Sequence, residues 1–226
     1  MSWTRLAVVA TMVLFPFGAM AQQQSQAPSP AGVDFSKVEI KTTNLGDGIY
    51  MLEGEGGNIT VAVAKDGIVM VDSEYAALHD KVKAAISAVS NRPIKFLIDT
   101  HFHEDHSGGN EAFAKDGAAV IAEAHVKTRL AAGTTNGLTG VKTPPAPAGA
   151  LPTKTYTGQF KIRMLGRVAD LTHIANAHTD GDTYVWFKTA NVLATGDTFT
   201  NGRYPNIDFA NGGNHDRGER CLSETG

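Results

Sequence analysis

The order of apolar runs along this chain predicts an α+β fold in which sheet layers carry helices on their outer faces. Three observations lead there. Short apolar segments separated by Gly-Asp turns open the domain, a helical stretch and a compact apolar strand follow, and a second set of short strands comes after a long irregular segment. With 226 residues, 42% of them hydrophobic, the chain suits one domain with a sizeable core.

The first set comprises Val38 to Thr42, Ile49 to Glu53, Ile59 to Ala64, and Ile68 to Val71 after Lys65-Asp66-Gly67, all read as antiparallel strands. From Tyr75 to Val89, Leu78, Val82, Ala85, Ile86 and Val89 recur at three- and four-residue spacings and form one helical face, which Asn91-Arg92-Pro93 stops. Ile94 to Ile98 is a compact run typical of a buried strand and leads directly into Asp99-Thr100-His101. A helix is expected from about Glu111, a strand over Ala118 to Ala122, and a short helix over Glu123 to Leu130. Gly133 to Pro152, rich in Gly, Pro and Thr, reads as a long surface loop. The second strand set is Thr153 to Thr157, Phe160 to Leu165, Tyr184 to Phe187 and Val192 to Thr195. In it Tyr184, Trp186 and Phe187 read as packing residues.

A net charge of -3 with scattered basic residues offers no electrostatic footprint for nucleic acid or an anionic membrane. Arg5, the apolar run Leu6 to Phe17 and the small-x-small sequence Ala19-Met20-Ala21 read as a signal peptide over residues 1–21. The run is short of the roughly 20 residues a spanning helix needs. An exported mature chain is expected, periplasmic or secreted, with no stable membrane span. Residues 22–37, rich in Gln, Ser, Pro and Ala toward their start, read as a flexible leader, residues 38–213 as the domain, and 214–226 as an irregular polar tail. Export permits disulfides, but the single Cys221 cannot close one within the chain.

The densest chemistry lies in His101-Phe102-His103-Glu104-Asp105-His106. His101 and His103 are two apart, so in extended backbone both imidazoles project to the same side and can meet one ion. Asp105 and His106 follow at a turn. Ser107-Gly108-Gly109-Asn110 lets the backbone reverse closely around a cation before the next helix. Imidazole nitrogen and carboxylate oxygen together favour zinc. The helical metalloprotease pattern does not apply, because His103 and His106 are three apart instead of four. His79 reads as solvent-facing, His125 as structural, and His173 as lacking a paired ligand.

The pattern His101-x-His103-x-Asp105-His106, after a buried strand and before Ser-Gly-Gly-Asn, resembles the signature of the metallo-β-lactamase superfamily. The resemblance continues in Asn176-Ala177-His178-Thr179-Asp180-Gly181-Asp182, in Ala194-Thr195-Gly196-Asp197, and in Asp72 at the end of an early strand. It implies an αββα four-layer sandwich. It further implies that His101, His103 and His178 hold one zinc, that Asp105, His106 and Asp197 hold a second, and that Asp72 supports them from behind.

The activity so implied is hydrolysis of a small ester, lactone, amide or β-lactam by a metal-bound hydroxide, with one or two zinc ions as cofactor. Asp105 would orient that hydroxide and pass its proton onward. Asp at position 197 points away from typical β-lactam-destroying members, which often carry Cys or Ser there. Members usually continue with a helix and a last strand ending in another histidine, whereas the sequence after Gly213 is polar and aperiodic. The expectation is therefore a domain lacking the last helix and strand, truncated or frame-shifted, and the alternative function is a catalytically silent zinc-binding member. Ligand type alone also admits iron.

Overall fold

The structure, a computed structural model, describes residues 32–137 and 140–214. The expected signal peptide, most of the leader and all but the first residue of the polar tail lie outside the described residues. Phe35, within the expected leader, packs against Tyr75 with ring centroids 5.1 Å apart and the rings tilted. Lys81 Nζ donates to the carbonyls of Phe35, Ser36 and Val38 at 3.0, 2.7 and 2.5 Å, which ties this stretch to the domain.

The first strands are β1 (Lys41–Gly46), β2 (Ile49–Glu53), β3 (Ile59–Ala64) and β4 (Gly67–Val71). Helix α1 (His79–Val89), strand β5 (Ile94–Ile98) and helices α2 (Glu104–Ser107) and α3 (Asn110–Lys115) follow. Then come β6 (Ala119–Glu123), α4 (Ala124–Ala132) and the small pair β7 (Thr134–Thr135) and β8 (Lys142–Thr143). The chain continues through β9 (Lys154–Tyr156), β10 (Gln159–Met164), β11 (Arg167–His173), β12 (Thr183–Phe187) and β13 (Val192–Ala194). Strands β1-β2-β3-β4-β5-β6-β9 form one sheet, antiparallel through β4 and parallel from β4 to β9. Strands β10-β11-β12-β13 form a second, antiparallel sheet.

Period-two alternation sorts the side chains between layers. Ile49, Ala62, Val69, Val71, Ile98 and Ile121 of the large sheet meet Ile162, Ala169, Leu171, Val185 and Phe187 of the small one in the central core. The opposite residues of the large sheet, including Val61, Met70, Leu97 and Val120, pack under α1, the turn that precedes it and α3 through Leu78, Val82, Ile86 and Phe113. This gives the helix–sheet–sheet layering of an α+β sandwich. On the outer face of the small sheet Trp186 and Leu193 are 42% and 40% exposed, and among the described residues no helix covers them.

Several expectations shift. Strand β1 begins at Lys41 rather than Val38, because the positive-φ turn at Asp47 and Gly48 sets its register against β2 and leaves Val38 to pack against the helix-side core. The turn expected at Asp105 and His106 is the single helical turn α2. The loop over residues 133–152 contains the β7–β8 pair and a 3-10 turn at Ala148–Ala150. Strand β11 has no continuous apolar run to announce it, although Ala169 and Leu171 are buried in alternation with Val168, Asp170 and Thr172. Trp186 is a correction: its neighbours Val185 and Phe187 face the core, so strand alternation sends it outward, where Lys188 Nζ lies 4.8 Å over its ring.

Candidate functional site

The ends of β4 and β5, the β11–β12 loop and the end of β13 converge on one cleft. Thr183 N donates to Thr100 O at 2.9 Å, so the start of β12 is fastened beside the end of β5 across the two sheets. That contact brings His178, just before β12, next to His101.

Three imidazole nitrogens meet there. His101 Nε2 lies 3.1 Å from His103 Nδ1, and His178 Nε2 lies 2.9 Å from the same atom. A neutral imidazole carries a single N–H, and in each ring the other nitrogen already has an oxygen partner. Thr100 Oγ1 donates to Asp72 at 2.9 Å and so accepts from His101 Nδ1 at 3.1 Å. His103 Nε2 faces Asp208 Oδ2 at 3.0 Å, and His178 Nδ1 faces the carbonyl of Asn206. The converging nitrogens are therefore bare lone pairs, the arrangement metal-binding histidines adopt when outer partners set the tautomer. Burial, followed by the imidazoles of His106, His178 and His103, holds His101 well below its usual pKa. His178 is lowered as well, by burial first and then by His103. Both stay neutral, as a ligand must.

Beside this trio stands His106, 2% exposed. Its Nδ1 lies 2.8 Å from Asp72 Oδ2, while Nε2 sits 3.1 Å from Asp197 Oδ1 and 3.5 Å from Asp105 Oδ2 without a well-aligned hydrogen bond. Burial opposes a positive charge on His106, but Asp72, Asp197 and Asp105 together raise its pKa well above the usual value. So acidic a setting calls for a cation, whether a proton or a metal. Asp197 spans the two clusters, with its second oxygen 3.8 Å from His178 Nε2. Burial works against its ionisation, yet His106 and then His178 and His103 bring its pKa down to about 2.

Ligand atoms of His101, His103 and His178 lie within 4.8 Å of one another, as do those of His101, His106 and Asp197. Zinc bonds of about 2.0–2.1 Å to nitrogen suit such spacings, and all-nitrogen beside nitrogen-and-carboxylate donor sets suit its chemistry. The residues fit the metal. Asp105 falls outside both groups and stands at the rim, its side chain 28% exposed.

The support is built from long-range contacts. Asp72 sits at φ 63°, a strained backbone for a residue with a side chain, and accepts from Thr100 N at 2.7 Å as well as holding His106. Asp182 accepts from Thr179 N and Oγ1 at 2.8 and 2.6 Å and shapes the turn after His178; burial lifts its pKa to about 7. Asp208 is a residue that sequence reading missed, since no motif surrounds it and it reaches His103 only by folding. The turn over residues 54–57 closes the other side, for a Cβ at Gly57 would fall within the His106 ring. Gly57→Ala is expected to displace that ring and destabilise the fold by about 1–3 kcal/mol, readable by denaturant titration. Wild-type stability would show that the turn can yield.

A cavity of about 450 Å³ flanks His103, lined by Phe102, Glu104, Arg129, Leu130 and Pro145 among others. Much of its wall comes from the irregular 133–152 segment, which is thus a pocket wall as well as a surface loop. The three remaining described histidines all have partners. His79 is corrected from solvent-facing: its side chain is 15% exposed, packs on Phe113 at 4.6 Å and bridges Asp80 and Asp116. His125 and His173 both face Glu123, so His173 is not isolated.

A family model described as the metallo-beta-lactamase superfamily matches residues 52–222. The chain belongs to the metallo-beta-lactamase superfamily. Solved structures of similar fold include a metallo-beta-lactamase of Cronobacter sakazakii, 17% identical with a TM-score of 0.64 over 82% of this chain and 73% of that one. Another is the class B3 di-zinc metallo-beta-lactamase LRA-12 from an Alaskan soil metagenome, 21% identical with a TM-score of 0.61, covering 72% of this chain and 62% of that one. A third, BJP-1 of Bradyrhizobium japonicum, is 20% identical with a TM-score of 0.56 over 69% of this chain and 60% of that one. Linear primary-alkylsulfatase of Pseudomonas sp. (strain ATCC 19151) is 39% identical over 54 residues, 24% of this chain, and the match spans 10% of that protein's length. Among the described residues of this superfamily member no helix is long and apolar enough to cross a membrane.

Proposed function

We propose that the chain is a zinc-dependent hydrolase of small esters, lactones, amides or β-lactams. The observation that carries this reading is the meeting of three bare imidazole nitrogens beside a carboxylate that reaches a fourth imidazole. His101, His103 and His178 would hold one ion and His106 and Asp197 a second, with Asp105 joining from the rim. Zinc held there lowers the pKa of coordinated water from about 15.7 to about 7, making a nucleophile available at neutral pH.

The protein's own groups divide the remaining work. Asp105, 28% exposed with Oδ2 3.5 Å from His106 Nε2, is placed to orient the attacking water and accept its proton. Asp72 keeps His106 Nδ1 protonated, so that Nε2 is the donor presented to the cleft. The apolar surfaces of Phe102, Leu130 and Pro145 line a cavity beside His103 suited to a small substrate's body. Asp72→Asn is expected to lower metal affinity or turnover about 10–100-fold while the protein stays folded, to be measured by competition with a zinc indicator and by initial rates. Unchanged affinity and rate would remove Asp72 from the supporting role.

Zinc per purified chain by elemental analysis, with turnover of a chromogenic β-lactam, a simple lactone and an alkyl sulfate on the same sample, tests the proposal. The alkyl sulfate is included because of the short likeness to the alkylsulfatase. Bound zinc with turnover of any one substrate supports the hydrolase and names its class. Zinc without turnover favours a silent metal-binding member, and absence of zinc overturns both.

A further inference from the structure

A second donor cluster lies where β6 passes into α4. Glu123 is fully buried, and its Oε2 accepts from the backbone N of His125 at 2.6 Å and lies 2.9 Å from His125 Nδ1. Its other oxygen, Oε1, has no hydrogen-bond partner. Facing that oxygen at 3.9 Å is Nδ1 of His173, the last residue of β11. His173 Nε2 donates to the Asp180 carbonyl at 2.9 Å, which leaves Nδ1 as the lone-pair nitrogen. A buried carboxylate oxygen and a bare imidazole nitrogen thus point at one another with no proton assigned between them, an unfavourable pairing unless a cation joins them. The His125 and His173 rings stack with centroids 5.9 Å apart, and one ligand atom from each of the three residues lies within 4.8 Å of the others.

We propose that Glu123, His125 and His173 form a metal site distinct from the cleft, taking a divalent cation of the zinc class with solvent in the remaining position. Two imidazoles and one carboxylate are a borderline donor set for such ions. The His173 contact to a backbone carbonyl is the outer partner that orients a metal-binding imidazole. Entry is open, since the His125 side chain is 54% exposed.

The placement also assigns a task. Asp180, whose carbonyl holds His173, belongs to the loop that carries His178, and its carboxylate pairs with Arg129 of α4 at 2.6 Å. The next residue, Gly181, runs so close to α4 that an added Cβ would come within 2.8 Å of Val126 Cγ2. A cation joining Glu123 and His125 on one side to His173 on the other fastens both ends of that contact. It clamps the His178 loop to the β6–α4 corner. The site is structural and stands whether or not the cleft is a working hydrolase.

Zinc counting on the full chain at one buffered free-zinc level tests this, using wild type, His125→Ala, the double variant His101→Ala/His106→Ala, which takes donors from both cleft clusters, and the triple combination. His125 is half exposed, so its truncation leaves the core intact, and circular dichroism confirms folding of each protein. The expected result is one zinc fewer in His125→Ala than in wild type. One zinc should remain in the double variant and vanish in the triple. Equal zinc in wild type and His125→Ala, or a folded double variant that binds none, overturns the proposal. A second readout is the Ile174 amide, bonded to Asp182 O at 2.8 Å, whose hydrogen exchange should quicken at least about tenfold in His125→Ala with zinc present. Exchange equal to wild type would show that no clamp acts there.

Discussion

Replacing His178 with alanine is expected to reduce hydrolytic turnover at least about a thousandfold and to lower bound zinc, because the loss falls on the point where three imidazole nitrogens meet. Removing one of three donors to a Lewis-acidic ion forfeits several kcal/mol of transition-state stabilisation, and each 1.36 kcal/mol is about tenfold in rate. The side chain is 1% exposed and anchored through Nδ1 on the Asn206 carbonyl, so truncation also frees the 206–208 segment that places Asp208 behind His103. Initial rates and elemental analysis on the same folded sample decide it. Retention of both turnover and zinc would place the metal elsewhere.

The largest stability effect is expected at Phe187. It is completely buried in the core between the two sheets, and Phe187→Ala should cost about 3–5 kcal/mol. In a domain of this size such a loss lowers the melting temperature by on the order of 10 °C. Trp186→Ala, one residue away on the exposed face, serves as the comparison and should cost far less. Equal losses from the two would mean that the outer face is covered in solution. Calorimetry of the two variants reads both.

The chemistry-bearing segments were legible because their information is local. Two histidines at strand spacing, a carboxylate and a further histidine before a pair of glycines announce a metal-binding turn by themselves. The strands β2, β3 and β5 were read at their observed bounds, since each is a short apolar run stopped by turn residues. Strand β11 escaped because its polar outer residues dilute the hydrophobic signal, although the alternation of Ala169 and Leu171 was there to find. Trp186 was read as core because an apolar run does not say which face each member takes. That is set by pairing with β11, where Val185 opposes the buried Leu171.

By itself, then, the sequence determined the layered class, most of the longer strands and the local grouping of His101, His103, Asp105 and His106, all of which follow from spacing and hydrophobic period. Only the tertiary structure decided what stands behind each of the other histidines: Asp72 against His106, Asp208 against His103, and Asn206 against His178. It also decided that Glu123, His125 and His173 share one corner. The physical reason is that these contacts join residues far apart in the chain. Their geometry depends on how the two sheets close on the central core and on the hydrogen bond from Thr183 to Thr100 that fixes the start of β12 beside the end of β5.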